Sequence, residues 1–115
     1  MLIHGTWHGG WCWQWLAPLL RAQGHKVTTP TLTGCGERRH LIGPDVGLNT
    51  HVEDILAAIE FAGADKIVLI GHSFSGVAIT GVADALRDRI GHLGFFGALI
   101  TTSTRRAAVM RGAQA

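Results

Sequence analysis

Long apolar runs are missing from this sequence of 115 residues: stretches such as Ile67 to Ile70 fall far short of the roughly 18 residues that a membrane span requires. The opening MLIHGTW also lacks the basic-then-apolar layout of a signal peptide, so a soluble, cytoplasmic protein with no membrane association is expected. Cysteine is scarce. Cys12 and Cys35 form no CxxC pair, which argues against a zinc ribbon or a thioredoxin-type site and leaves two reduced, structural thiols. Net charge is small as well, and a formal +2 gives no reason to expect nucleic acid as a partner. Acidic residues stop at Asp88, whereas Arg89, Arg105, Arg106 and Arg111 continue, too sparsely for a nucleic-acid patch. No internal repeat is visible. What remains is 47% hydrophobic and 16% charged, the composition of one compact domain.

Short apolar runs alternate with helical patterns, the mark of βα units. Leu2 to His4 reads as the end of a strand, and HGTWHGGW as a glycine-rich loop. A helix is expected over much of 12–23, with Trp15, Leu16, Leu19 and Leu20 as its apolar stripe and Gly24 as its stop. Pro18 places the regular part of that helix close to itself, since proline is tolerated in a first turn. Residues 25–30 read as a short strand, and 31–47 as a long loop of the kind that often carries function. Thr50 to Glu53 fits a capping box; Val52, Ile55, Leu56 and Ile59 recur at helical spacing, and Gly63 ends the helix. Lys66 to Ile70 is a wholly apolar strand apart from its first residue, as expected where helices cover both faces of a parallel sheet. Another helix is expected over 77–89, and a fourth strand over 93–100, weakened by Gly94 and Gly97.

The end of the third strand reads LIGHSFSGVAI. In an open parallel sheet ligands gather beyond the carboxyl ends of the strands, which makes Ser73 a candidate nucleophile. A tight strand-to-helix turn projects the serine Oγ and needs small residues two positions to either side. Gly71 and Ser75 occupy those positions, with Ser75 where the G-x-S-x-G pattern has its second glycine. The free N–H groups of the following helix face the place where an acyl oxyanion would form, with the Phe74 amide as first donor and the amide of Thr6 or its neighbour, from the HGTW loop, as second.

These features together resemble the α/β-hydrolase superfamily, and within it the small esterase and hydroxynitrile-lyase-like group that includes plant methylesterases. The resemblance rests on HGTWHGGWCWQWLAPLLRAQGHKVTTPTLTGCGERRHL, on NTHVEDILAAIE and on VLIGHSFSGVAITGVAD, in the family's order from residue 1 to about 90. It implies an α/β fold: a partial hydrolase core over 1–92 with a parallel sheet of about four strands and flanking helices. Residues 93–115 follow as an atypical strand and a basic tail for which disorder stays open. The implied chemistry is hydrolysis of small carboxylic esters through an acyl-enzyme on Ser73, without cofactor or metal. Cyanohydrin cleavage using the serine with Thr6 stays open, as does a non-catalytic binding remnant.

The family's acid and histidine should follow the serine on loops after later strands. Beyond Ser73 the sequence offers only His92, expected at the opposite edge of the sheet, with Asp84 and Asp88 on the helix after the serine. The resemblance therefore implies a chain curtailed at both ends, weak in turnover, with open sheet edges that favour self-association. Losing the base of a serine triad lowers turnover on the order of 10⁶-fold. His4, His8 and Cys12 have helical ligand spacing, but the glycines among them argue against a helix and hence against a metal site. His72 is expected to pack rather than act as base, and His25, His40 and His51 to cap or face solvent. His4, Gly5 and Trp7 are the candidate substrate-pocket residues. The four tryptophans of 7–15 read either as a pocket wall or as a packing cluster. Arg38 and Arg39 read either as steering an anionic substrate or as a solvated pair.

Overall fold

The computed structural model describes residues 1–5, 7–63, 65–97, 100–103 and 106–108. Three parallel strands, β1 (Leu2–Ile3), β2 (Ile67–His72) and β3 (Ile90–Phe96), lie in the order β1-β2-β3. Helices α1 (Leu16–Ala22) and α2 (Leu48–Ala62) fall between the first two strands, and α3 (Ser75–Ala85) between the second and third. Strands β4 (Ile100–Ser103) and β5 (Arg106–Ala108) pair antiparallel in a separate two-stranded ladder.

The sheet thus has three strands, not the expected four. The segment expected as a strand over 25–30 makes a single backbone contact to β1, from the Leu2 N–H to the Thr28 carbonyl oxygen at 2.9 Å. Pro30 has no N–H with which to extend it. The last expected strand begins earlier, at Ile90, and takes its place beside β2.

The core lies between one face of the sheet and the helices α2 and α3. Ile3, Ile67 and Leu69 from the strands meet Ile55 and Ile59 of α2 and Ala78, Ile79 and Val82 of α3, with Leu32 of the long loop closing the cluster. Alternation along β2 sends Ile67, Leu69 and Gly71 into this core and Val68, Ile70 and His72 to the other face. That second face is only partly covered: Val68 is 51% exposed, and an open cavity lined by Leu20 of α1 with Val68 and Ile70 lies over it. The cover on that face is thin because α1 is only seven residues long and buries Ala17 alone, leaving Leu16 and Leu19 of its anticipated stripe exposed.

Chain punctuation follows the residues. Gly24 and Gly63 both take positive φ at the ends of α1 and α2. Helix α2 starts three residues earlier than the capping-box reading: Gly47 is the N-cap, and Thr50, in the third helical position, accepts its N–H at 3.1 Å. The long loop is tied to α2 by Asp54, whose two carboxylate oxygens accept from the Thr33 N–H at 2.6 Å and the Thr33 hydroxyl at 2.7 Å. No helix among the described residues is long and apolar enough to cross a membrane.

Candidate active site

Ser73 follows the last residue of β2 and has φ 57°, a left-handed conformation rare for any residue but glycine. Its N–H still bonds the Phe96 carbonyl oxygen of β3 at 3.2 Å, so the sheet holds it up to the point where the chain reverses. The reversal is closed by the Gly76 N–H to the Ser73 carbonyl oxygen at 3.1 Å and the Val77 N–H to that of Phe74 at 3.2 Å. Close strand–helix approach requires Gly71, where a Cβ would lie 2.8 Å from Ile79 Cδ1 and 3.2 Å from the Ser75 carbonyl oxygen. Ser75 does more than a glycine could: its buried Oγ lies 2.8 Å from the His72 carbonyl oxygen and 3.2 Å from that of Ile3. It thereby joins the ends of β1 and β2 to the first turn of α3.

The loop after β1 crosses directly over this turn. A Cβ on Gly5 would come within 2.8 Å of Ser73 Cβ and 2.9 Å of His72 Nδ1, so only glycine permits the approach. Thr6 lies outside the described residues. Among the described residues no backbone acceptor takes the Phe74 N–H at the start of α3.

His4 is 1% exposed and has a structural task. Its Nε2 accepts the Leu32 N–H at 2.9 Å, which leaves the ring proton on Nδ1, 2.9 Å from the Gly5 carbonyl oxygen. Both nitrogens are occupied, so the His4–His8–Cys12 spacing yields no ligand set. No three His, Cys, Asp or Glu side chains gather as metal ligands among the described residues. Burial holds the His4 pKa below its usual 6.5, against the bond to Gly5, which raises it. The folded state therefore resists protonation: the stability this histidine contributes is complete above pH 6.5 and lost as pH falls below it. His72, also lowered by burial and by the neighbouring His8, acts in the same direction. The thermal midpoint is expected to fall between about pH 7.5 and about pH 5.5, around the ordinary imidazole pKa, and a flat profile would contradict this placement of His4.

His72 packs as expected, stacked on His8 with ring centroids 5.8 Å apart and flanked by Trp13 and Phe96. Trp13 is buried in that aromatic group, whereas Trp7 is 90% exposed and borders a cavity. This cavity, of about 580 Å³, is lined by His4, Gly5 and Trp7, by Leu32, Cys35, Arg39 and Ile42 of the long loop and its short helical turns, by Leu48 and His51 of α2, and by Phe74, Ser75 and Ala78. Ser73 does not itself line this cavity, but Gly5, Phe74 and Ser75, which adjoin it in the turn, do. His51, expected to cap or face solvent, is half-buried here, its Nε2 3.1 Å from the Thr33 carbonyl oxygen.

Acid and base are not brought to the serine. Among the described residues no histidine hydrogen-bonds the Ser73 hydroxyl. His92 lies within β3, not before it, and pairs with Val68 near the far end of β2. It is therefore about 16 Å from the serine at roughly 3.3 Å per strand residue. Asp84 pairs with Arg87 on the surface at 2.7 Å.

A sequence profile of the alpha/beta hydrolase family matches residues 1–114. The chain belongs to that family. It is 48% identical over 100 residues to a carbendazim hydrolyzing esterase of Nocardioides sp. (strain SG-4G), covering 87% of this chain and 41% of that protein. It is 34% identical over 91 residues to methylesterase 9 of Arabidopsis thaliana, covering 78% of this chain and 36% of the relative. Among solved structures, an extracellular α/β-hydrolase from a Paenibacillus species, described as sharing structural and functional homology with tobacco salicylic acid binding protein 2, superposes with a TM-score of 0.77 at 33% identity. That match covers 85% of this chain and 39% of the other. The chain thus spans less than half the length of each of these relatives.

Proposed function

We propose that the chain carries the nucleophile half of a serine esterase site acting on small carboxylic esters. The observation that carries the reading is the left-handed Ser73 between a β-strand and a helix, with Gly71 and Ser75 on either side and a cavity beside it. In the proposed reaction Ser73 Oγ attacks the ester carbonyl carbon, the tetrahedral oxyanion is met by the Phe74 and Thr6 N–H groups, and the alcohol leaves with a proton. Water then attacks the acyl-serine, releasing the acid and returning the proton to Oγ. The relatives that support an ester substrate are those whose names give them as a carbendazim-hydrolysing esterase and a methylesterase.

The measurement is release of p-nitrophenol from a short acyl ester by folded chain, with Ser73→Ala as control. Slow release is expected that the substitution returns to the uncatalysed rate. Equal rates in both chains would remove the esterase reading. A second reading, a binding domain that turns nothing over, is favoured by the absence of any histidine bonded to Ser73 among the described residues, and the same equality would support it. Cyanide release from a cyanohydrin without ester turnover would point to the lyase chemistry instead.

A further inference from the structure

The cavity beside Ser73 is apolar over most of its wall, yet one lining residue carries a fixed charge. Trp7, Leu32, Ile42, Leu48, Phe74 and Ala78 supply the apolar surface, and Arg39 the charge. At about 580 Å³ the space falls in the range of small-molecule sites, roughly 300–1,000 Å³. Trp7, Ile42, Leu48 and Phe74 are all substantially exposed, so the wall is apolar surface presented to solvent rather than packed away.

The arginines of this region do not behave alike. Arg21 donates to the Val27 carbonyl oxygen at 2.9 Å, and Arg38 donates to that of Thr31 at 2.9 Å. Arg38 has non-helical backbone angles, φ −102° and ψ 19°, which break the short turn over Gly36–Leu41 and separate its direction from that of its neighbour. Arg39 has no partner among the described residues. The nearby carboxylates are engaged elsewhere: Glu37 accepts from the Thr31 hydroxyl at 2.7 Å and Asp54 from Thr33, and neither lines the cavity. A guanidinium that lines an apolar space and has no partner among the described residues is suited to a planar oxyanion, which it can hold through two parallel N–H donors.

We infer that Arg39 recognises a carboxylate at the end of the ligand remote from the ester, and that the preferred ligands are amphipathic hemiesters of dicarboxylic acids. The apolar chain of such a molecule lies along Trp7, Ile42 and Leu48, with its ester end toward Ser73. This orientation rests on the esterase reading; the carboxylate preference itself does not, because it is a property of binding.

The test uses the full chain carrying Ser73→Ala, so that no turnover intervenes, and compares monomethyl suberate with dimethyl suberate by titration calorimetry. The hemiester is expected to bind about fivefold more tightly than the diester, the scale of an exposed charge pair. Arg39→Gln should reduce the preference to less than about twofold, Arg39→Lys should keep part of it, and salt should weaken the hemiester alone. Equal affinity for both esters, failure of both to bind, or a preference that survives Arg39→Gln would each overturn the inference. Hydrolysis by the Ser73 chain is read separately, so loss of the esterase reading with the preference intact would remain visible as such.

Discussion

The Gly10→Ala chain is expected to be largely unfolded where the parent is folded. Gly10 begins the short turn before α1, its N–H is bonded to the Thr31 hydroxyl at 2.8 Å, and an added Cβ would fall on the Thr29 carbonyl oxygen. Both obstacles are backbone or buried polar groups, so no side-chain rotation relieves the overlap. The loop would have to move off residues 29–31, breaking the chain of bonds from Gly10 N–H through Thr31 to Glu37. Overpacking and the lost buried bond together cost about 3 kcal/mol or more. In thermal unfolding followed by circular dichroism, a drop of at least about 10 °C is expected for a chain of this size. A midpoint within a few degrees of the parent would show that residues 9–10 and 29–31 are not packed as described.

The His4→Phe substitution isolates the second large term. Phenylalanine keeps the ring volume in a site that is 1% exposed, but it leaves the Leu32 N–H and the Gly5 carbonyl oxygen without their partner. An unsatisfied buried donor costs about 1–3 kcal/mol, and the acceptor adds to it. The variant should lose about 2–4 kcal/mol in urea unfolding on that basis and should also flatten part of the pH profile. Unchanged stability would mean that His4 does not hold the long loop to the strand.

Much of the site was legible because its constraints are local. Gly71, Ser73 and Ser75 state a strand-to-helix turn by size alone, and Gly63 marks the end of α2 with a conformation that few other residues adopt. What the sequence did not disclose depends on partners distant in the chain. The stripe of Trp15, Leu16 and Leu19 has helical spacing, but spacing cannot say whether a surface exists for it to meet, and here the short α1 leaves it exposed. Residues 25–30 have strand composition but only one ladder-like bond. His4 borders the cavity as expected of a pocket residue, but its structural task rests on the bond from the Leu32 N–H, 28 positions away. His51 and Arg39 enter the cavity because the loop over 31–47 folds across α2, an arrangement set by Asp54 and Thr33 rather than by any motif.

The preformed turn around Ser73 is the centre of the account, and covalent labelling of the folded chain by a fluorophosphonate, read by intact mass, tests it most directly. The expected result is slow labelling at a single site, sustained by the helix terminus without a full triad and absent in a Ser73→Ala chain of equal circular dichroism. A folded chain that takes up no probe, or a Ser73→Ala chain that is labelled as fast as the parent, would contradict it.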